Sequence, residues 1–338
     1  MSPALPSCPI CSQPAVFWRR APDHHYGNPG LWEVYRCTHC RHLFQYPLPE
    51  EEELSQFYPV SYYAHQPPNT DITPRGLHHR GVWLTLHYLK YCRAYQHLPF
   101  DAHPLLAFLG YALQPRAQHL GTPHFQPGGK LLDYGSGAGH AVAFMQYLGW
   151  QAEGIEIDAA AVQAGKDAGL SIYHGSIDTL EDRTEYYDYI MSSHCVEHVP
   201  DVERLFRAFF AALKPGGMLT IDVPNADAVA VERYQEFYYY LGMPVHVHIF
   251  TPASMRSLAQ STGFVDIATA TYSRWYTQAQ AAVLMRSSHG RGASHASFHS
   301  QSRWAGLIGR IRSLPTYVLS RPQGRGDCLV MTCTKPVA

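Results

Sequence analysis

Residues 131–139 read Leu-Leu-Asp-Tyr-Gly-Ser-Gly-Ala-Gly. An apolar run delivers one acid, Asp133, and then Gly135, Gly137 and Gly139 at every second position, just ahead of a helical stretch at 140–148. Residues without a Cβ let the backbone turn sharply and approach a ligand closely. The helix N-terminus that follows offers N–H groups to an anion, here the carboxylate of an amino-acid moiety. Asp133 at the strand end can orient the turn or accept from an ammonium group. A dinucleotide is the rival ligand, but its fingerprint needs glycine at the first, third and sixth positions. Counted from Gly135, the sixth is His140, so that pattern breaks. The next strand, Gln151 to Glu156, places Glu156 at its carboxyl end. A carboxylate there accepts both ribose hydroxyls and repels a ribose phosphate.

A second constellation lies between about Asn225 and Thr251, beyond the fifth strand of the alternating region. In open α/β sheets ligands bind outside the carboxyl ends of the strands. The segment holds Tyr234, Phe237, Tyr238, Tyr239 and Tyr240, then His246 and His248. Imidazole titrates near neutrality, which makes His246 and His248 the candidate general bases. The aromatic run reads equally as a helix burying its rings or as a substrate lid.

The third constellation is Cys8-Pro9-Ile10-Cys11 with Cys37-Thr38-His39-Cys40. Two residues between cysteines let a turn aim both thiolates at one ion, and two such turns complete a tetrahedron. In a reducing compartment this spacing favours metal over disulfides. Cys8, Cys11, Cys37 and Cys40 are expected to hold Zn2+ in a closed, structural ribbon, with iron the minor option. His39 and His42 are substitute ligands that the site does not need. The remaining cysteines, Cys92, Cys195, Cys328 and Cys333, stand alone and read as small hydrophobes.

Several elements must position these groups. From Lys130 strands and helices alternate, with strands expected at 130–134, 151–156, 170–174, 187–192, 217–223 and 263–270. That order predicts an α/β fold, a mostly parallel sheet covered on both faces. Cys328 to Thr334 is expected to close it as an antiparallel edge. Ahead of it, residues 49–124 read as a linker or lid. It has a short acidic helix from Glu50, an aromatic run at 58–63, a proline-rich stretch at 67–74 and helical patterns at 82–98 and 101–111. The chain of 338 residues is 46% hydrophobic and 16% charged, with a formal net charge of −1, so no whole-chain field draws nucleic acid or an acidic membrane. No apolar run reaches the roughly 18 residues of a membrane span, and no leader pattern is visible. A cytoplasmic location is expected.

Taken together, these motifs resemble the class I S-adenosylmethionine-dependent methyltransferases, in particular the small-molecule enzymes with a ubiquinone-biosynthesis-like core. The resemblance covers about 125–270 and the last strand. It rests on Leu131 to Gly139, Gly154-Ile155-Glu156 and Tyr187-Asp188-Tyr189-Ile190 through Glu197-His198-Val199-Pro200-Asp201. It continues in Leu213-Lys214-Pro215-Gly216-Gly217, Val223-Pro224-Asn225 and His246 to Thr251 leading into Gly263-Phe264. It implies a Rossmann-like core of seven strands and S-adenosyl-L-methionine as cofactor. The cofactor set is then Asp133, Tyr134, Gly135, Ser136, Gly137, Gly139, Glu156 and Ile157. Ser176 and Ile177 would flank the adenine, and Ser193, His194 and Cys195 would lie beneath the methionine. Many relatives carry an acid where Ser176 stands; a serine accepts more weakly. Relatives also often carry a histidine four residues before the phenylalanine matching Phe250, which favours His246 over His248. His198 is expected to shape the pocket or cap the following helix.

The expected organisation is a zinc ribbon at 1–48, a helical linker or lid at 49–124 and the methyltransferase domain at 125–338. That domain carries an acceptor-side insertion at 225–251 and a flexible basic insertion at 273–326. Residues 267–326 contain no Asp or Glu but eight arginines. The plain reading is helix packing with solvated arginines; the sharper one is an anionic acceptor or a membrane surface. The expected activity is methyl transfer to O, N or C of a small molecule, such as a sugar, polysaccharide precursor or secondary metabolite. The alternatives are an RNA methyltransferase that uses the ribbon to bind substrate, and a non-catalytic cofactor-binding scaffold. Acidic Glu50 to Glu53 beside the ribbon disfavour a phosphate track.

Overall fold

The computed structural model describes residues 6–58, 120–124, 126–288, 303–320 and 324–337, with side chains in 303–308 and at 310 not described. The expected linker at 67–74, the helical patterns at 82–98 and 101–111, most of the 58–63 run and residues 289–302 of the basic insertion lie outside these residues.

Two sheets organise the described chain. The larger contains β4 (Lys130–Tyr134), β5 (Gln151–Glu156), β6 (Ile172–His174), β7 (Tyr187–Ser193), β8 (Leu213–Pro224), β10 (Val265–Tyr272) and β11 (Cys328–Thr334). Their order is β10-β11-β8-β7-β4-β5-β6. The strands from β4 to β8 pair in parallel, and β11 runs antiparallel to both β8 and β10. The expected Rossmann-like α/β sheet is therefore present, seven-stranded and mostly parallel. One detail differs. β11 is not an edge but lies between β8 and β10, and its run Cys-Leu-Val-Met-Thr-Cys is buried throughout. A strand covered on both faces carries apolar residues at successive positions rather than alternate ones.

The crossovers that parallel pairing requires are α2 (His140–Tyr147), α3 (Ala159–Asp167), α4 (Ile177–Glu181) and α5 (Val202–Ala212), with α7 (Pro252–Thr262) leading into β10. Their starts are written locally. The Asp158 carboxylate accepts from Ala161 N–H and the Asp201 carboxylate from Arg204 N–H, while Thr251 and Ser254 form a capping box. Tyr187, Leu132, Ile190, Phe206, Phe209 and Ile221 centre the core on one face of the sheet.

The smaller sheet has the order β1-β2-β3-β9, from β1 (Ala15–Ala21), β2 (Trp32–Cys37), β3 (Leu43–Gln45) and β9 (His248–Ile249). Three of its strands come from the cysteine region. The fourth comes from the segment after β8, where Leu43 faces Ile249 and Phe44 faces His248. The short helix α1 (Glu51–Ser55) follows, close to where the acidic stretch was expected.

The segment 225–251 folds as α6 (Val229–Tyr234), two 3-10 turns at 235–237 and 239–241, and β9. Tyr234, Phe237, Tyr238 and Tyr240 are all buried in one cluster, which resolves the aromatic run as packing. The stretch expected to be a flexible basic insertion contains α8 (Trp275–Ser288) and α9 (Arg303–Ser320). These pack closely: an added Cβ at Gly309 would lie 2.4 Å from the Ala279 carbonyl oxygen. The Trp275 and Tyr317 rings stack 5.8 Å apart. No described helix is long and apolar enough to cross a membrane.

Candidate functional site

Parallel pairing of β4, β5, β7 and β8 brings their carboxyl ends to one rim, and the candidate cofactor residues lie there. Asp133 faces Gly154 across the β4–β5 register. The chain after Tyr134 turns through Gly135, Gly137 and Gly139, with φ of 75°, 53° and 90°. These lie in the left-handed region that side chains disfavour. Gly135 and Ser136 donate to the Ile155 carbonyl at 2.9 and 3.2 Å, which folds the turn back on β5. At Gly135 an added Cβ would lie 2.3 Å from Cys195 Sγ, and at Gly154 it would lie 2.4 Å from Ser136 Oγ. The two glycines let three segments close on one another.

Glu156 spans the mouth of this turn. Its carboxylate accepts from Gly137 N–H at 2.8 Å and from Asp158 N–H at 2.9 Å. A carboxylate offers about four lone-pair directions, so capacity remains for two hydroxyls. Asp133 is buried, and no hydrogen bond to its carboxyl is formed among the described residues. Burial, reinforced by the charge of Glu156, pushes it up to about 7. A carboxyl in that position calls for a cationic partner.

The other expected cofactor residues divide by role. Tyr134 turns its ring into the core against Phe209, 5.2 Å away and perpendicular, so only its backbone meets the turn. Ile177 is buried likewise, whereas Ile157 is 57% exposed at the rim. Ser176 occupies the N-cap position of α4 without a side-chain cap bond. Ser193 is exposed at the end of β7. Cys195 packs under Gly135, and burial pushes its thiol well up.

His194 sits at φ 52°, an uncommon conformation for a side chain this large. Its ring stacks on Tyr240 at 5.4 Å, and its Nδ1 lies 3.3 Å from Glu197 Oε1. Asp222, Tyr272, Arg274 and Cys328 complete the surroundings. Tyr272 donates to Asp222 Oδ2 at 2.7 Å, and Arg274 donates to the Tyr272 hydroxyl at 3.2 Å. None of these four was singled out for chemistry from sequence. The available signal was Asp222, a lone carboxyl inside the apolar run Leu-Thr-Ile-Asp-Val of β8.

The candidate bases separate. His246 Nδ1 lies 2.8 Å from the Tyr240 carbonyl, so this nitrogen donates and Nε2 keeps its lone pair. The ring meets His198 edge-on at 4.6 Å and groups with Glu197. Burial and the neighbouring His198 push His246 down to about 3, so it is neutral at pH 7. His198 Nδ1 is 2.8 Å from the Tyr58 hydroxyl and 3.0 Å from the Val245 carbonyl. His248 lies elsewhere, and the expectation of a base there is corrected. It is fully buried in β9, with Nδ1 3.1 Å from His42 Nε2 and Nε2 3.1 Å from the Pro200 carbonyl. Neither nitrogen is left to take a substrate proton.

The four N-terminal cysteines converge. Cys8 and Cys40 sulfurs are 3.7 Å apart, Cys11 and Cys37 3.5 Å, and Cys11 and Cys40 3.5 Å. A tetrahedron of thiolates about 2.3 Å from zinc has edges of ~3.8 Å, so this donor set fits such an ion. Ile10 N–H points at Cys8 Sγ, and His39 and Cys40 N–H point at Cys37 Sγ. His39 and His42 contribute no ring nitrogen to the group. The cluster is tied to the core beside it. Thr251 Oγ1 donates to the Cys40 carbonyl at 2.7 Å, and Arg41 Nε donates to Asp227 at 2.8 Å.

Comparison with known proteins agrees with this geometry. Residues 105–269 match the family model of a methyltransferase domain. Phosphoethanolamine N-methyltransferase 2 of Caenorhabditis elegans is 28% identical over 155 residues, 43% of this chain and 34% of that protein. The ubiquinone biosynthesis O-methyltransferase of Pseudomonas savastanoi pv. phaseolicola is 30% identical over 110 residues, 30% of this chain and 47% of that one. The chain thus spans a third to a half of the length of these curated relatives. Among solved structures, a SAM-dependent methyltransferase from Archaeoglobus fulgidus aligns over 63% of this chain and 89% of its own, at 19% identity and a TM-score of 0.44. The parallel strand order, glycine turn and strand-end carboxylates are in place within the residues that match the methyltransferase-domain model.

Proposed function

We propose that this protein transfers a methyl group from S-adenosyl-L-methionine to a small-molecule acceptor, at the carboxyl ends of β4, β5, β7 and β8. The observation that carries this reading is the pairing of a buried, partnerless Asp133 with Glu156 around a left-handed glycine turn. The cofactor brings an electrophilic methyl on a sulfonium. The chain's own groups bind and orient it: the turn's N–H groups toward the carboxylate, Asp133 toward the ammonium, and Glu156 toward the ribose. Ser176, Ile177 and Ile157 line the adenine side, and Ser193, His194 and Cys195 form the floor.

The acceptor side lies between the ribbon and the 225–251 segment. His246, neutral and with its Nε2 lone pair kept, accepts a hydrogen bond from the O–H or N–H to be methylated; at about 3 it stores a proton poorly. The four cysteines hold a structural Zn2+, which fixes a small region lacking a core of its own. Its sheet then supplies the partner strand for β9. Just before β9, Val247 N–H donates to the Glu197 carbonyl at 2.9 Å, so the ribbon props the turn that carries Glu197 and His198.

The test is to add the purified chain and cofactor to a metabolite extract and search by mass spectrometry for species that gain one methylene. Stoichiometric S-adenosylhomocysteine should accompany them. Cofactor binding without any such product would support the scaffold reading instead.

A further inference from the structure

Three side chains outside the cysteine cluster converge beside the end of β7. A ring nitrogen of His194, a carboxylate oxygen of Asp222 and Cys328 Sγ lie within 4.8 Å of one another. They come from the ends of three adjacent elements: the turn after β7, β8 and the start of β11. Each of the first two is satisfied on its outer atom and not on its inner one. His194 Nδ1 is taken by Glu197 and Asp222 Oδ2 by Tyr272, while His194 Nε2 and Asp222 Oδ1 are buried with no nitrogen or oxygen partner and the His194 ring faces Cys328. The Tyr240 hydroxyl, on a residue only 6% exposed, is likewise buried with no nitrogen or oxygen partner and faces Cys328. Buried polar atoms without partners are costly, and several around one point indicate a missing ligand.

We propose that His194, Asp222 and Cys328 form a second metal site, for a borderline-soft divalent cation of the zinc type. Imidazole, carboxylate and thiolate together suit such an ion better than magnesium or calcium, which take oxygen. The outer bonds are those that orient metal ligands: a carboxylate on the far nitrogen of the histidine and a hydroxyl on the far oxygen of the aspartate. Charge closes as well. Asp222, Glu197 and a Cys328 thiolate balance a dication plus Arg274. Ligands about 2.0–2.3 Å from a tetrahedral ion sit ~3.3–3.8 Å apart, so the group contracts by about an ångström on loading. Three protein ligands leave a fourth place open, the arrangement of catalytic zinc sites, whereas the four cysteines close theirs. The open place takes the oxygen or nitrogen of the methyl acceptor. That role rests on the methyl-transfer reading; the binding does not.

Metal content tests the site without knowledge of the acceptor. The full chain is saturated with zinc, freed of excess ion by gel filtration and analysed by elemental mass spectrometry. Two zinc ions per chain are expected, falling to one in Cys328→Ser and in Asp222→Asn, with thermal melting confirming that both variants fold. Should a variant not fold, X-ray absorption on the two-zinc wild-type protein decides: a mixed sulfur and nitrogen/oxygen shell supports the site. Saturation at one zinc per chain, a shell of sulfur alone, or two zincs retained in both folded variants would overturn it. S-adenosylhomocysteine binding, measured on the same wild-type sample, reports separately on the methyl-transfer reading.

Discussion

Because Asp133 must be ionised to hold an ammonium group, cofactor affinity should fall with acid. The carboxyl stands near 7 in the free protein, raised by burial and by Glu156. Binding in the ionised form therefore costs nothing extra above that value and a growing amount below it. At pH 5, two units lower, the cost is about 2.7 kcal/mol, or ~100-fold in Kd, with a slope approaching tenfold per pH unit. Calorimetric titration with S-adenosylhomocysteine from pH 5 to 8 reads this directly. Repeating it in buffers of different ionisation enthalpy counts the proton released, approaching one per site at pH 5. Asp133→Asn should bind more weakly at pH 8 and lose most of the pH dependence. The sign for folding is opposite. A carboxyl raised above its unfolded value favours the fold while protonated, so its contribution is lost as pH rises from about 4 to 7. A Kd constant across the range, with stability likewise flat, would refute the reasoning about Asp133.

Gly135→Ala meets Cys195 Sγ at 2.3 Å and holds φ of 75°, so S-adenosylhomocysteine affinity should fall at least tenfold. Cys195→Ala in the same chain leaves its own Cβ at 2.5 Å and should restore little, whereas Cys195→Gly should relieve the clash but not the backbone strain, giving partial recovery by calorimetry. His246→Ala should lower turnover by about 10²-fold or less, since a nitrogen at about 3 orients rather than stores a proton. The kcat profile should show no inflection from His246 between pH 6 and 9; a loss of 10⁴-fold with a shifted profile would make it a true base. Stripping zinc with a chelator should unpair β3 from β9. Acceptor turnover should then be lost while S-adenosylhomocysteine affinity stays within a few-fold, and equal loss of both would remove the ribbon from the acceptor side.

Much of the candidate cofactor crevice was legible because its determinants are local. Asp133, the alternating glycines and Glu156 sit on two consecutive strands, and parallel pairing alone brings them together. The cysteine pairs were legible for the same reason, as two short turns. What escaped depends on pairings distant in sequence. β9 joins the ribbon sheet across about two hundred residues, and that pairing moves His248 from the crevice to a buried contact with His42. β11 reads as an edge because a lone apolar run says nothing about its neighbours; insertion between β8 and β10 delivers Cys328 beneath His194. α8 escaped because its apolar residues do not form one face: Ala279, Ala281 and Leu284 are buried against α9 and the aromatic cluster at mixed spacing.

The most direct measurement is calorimetric titration of the purified chain with S-adenosylhomocysteine and, in parallel, with NAD. One equivalent of the former binding with a Kd on the order of micromolar, and no heat from the latter, is the expected result. Saturable NAD binding with no response to S-adenosylhomocysteine would contradict the assignment of the glycine turn.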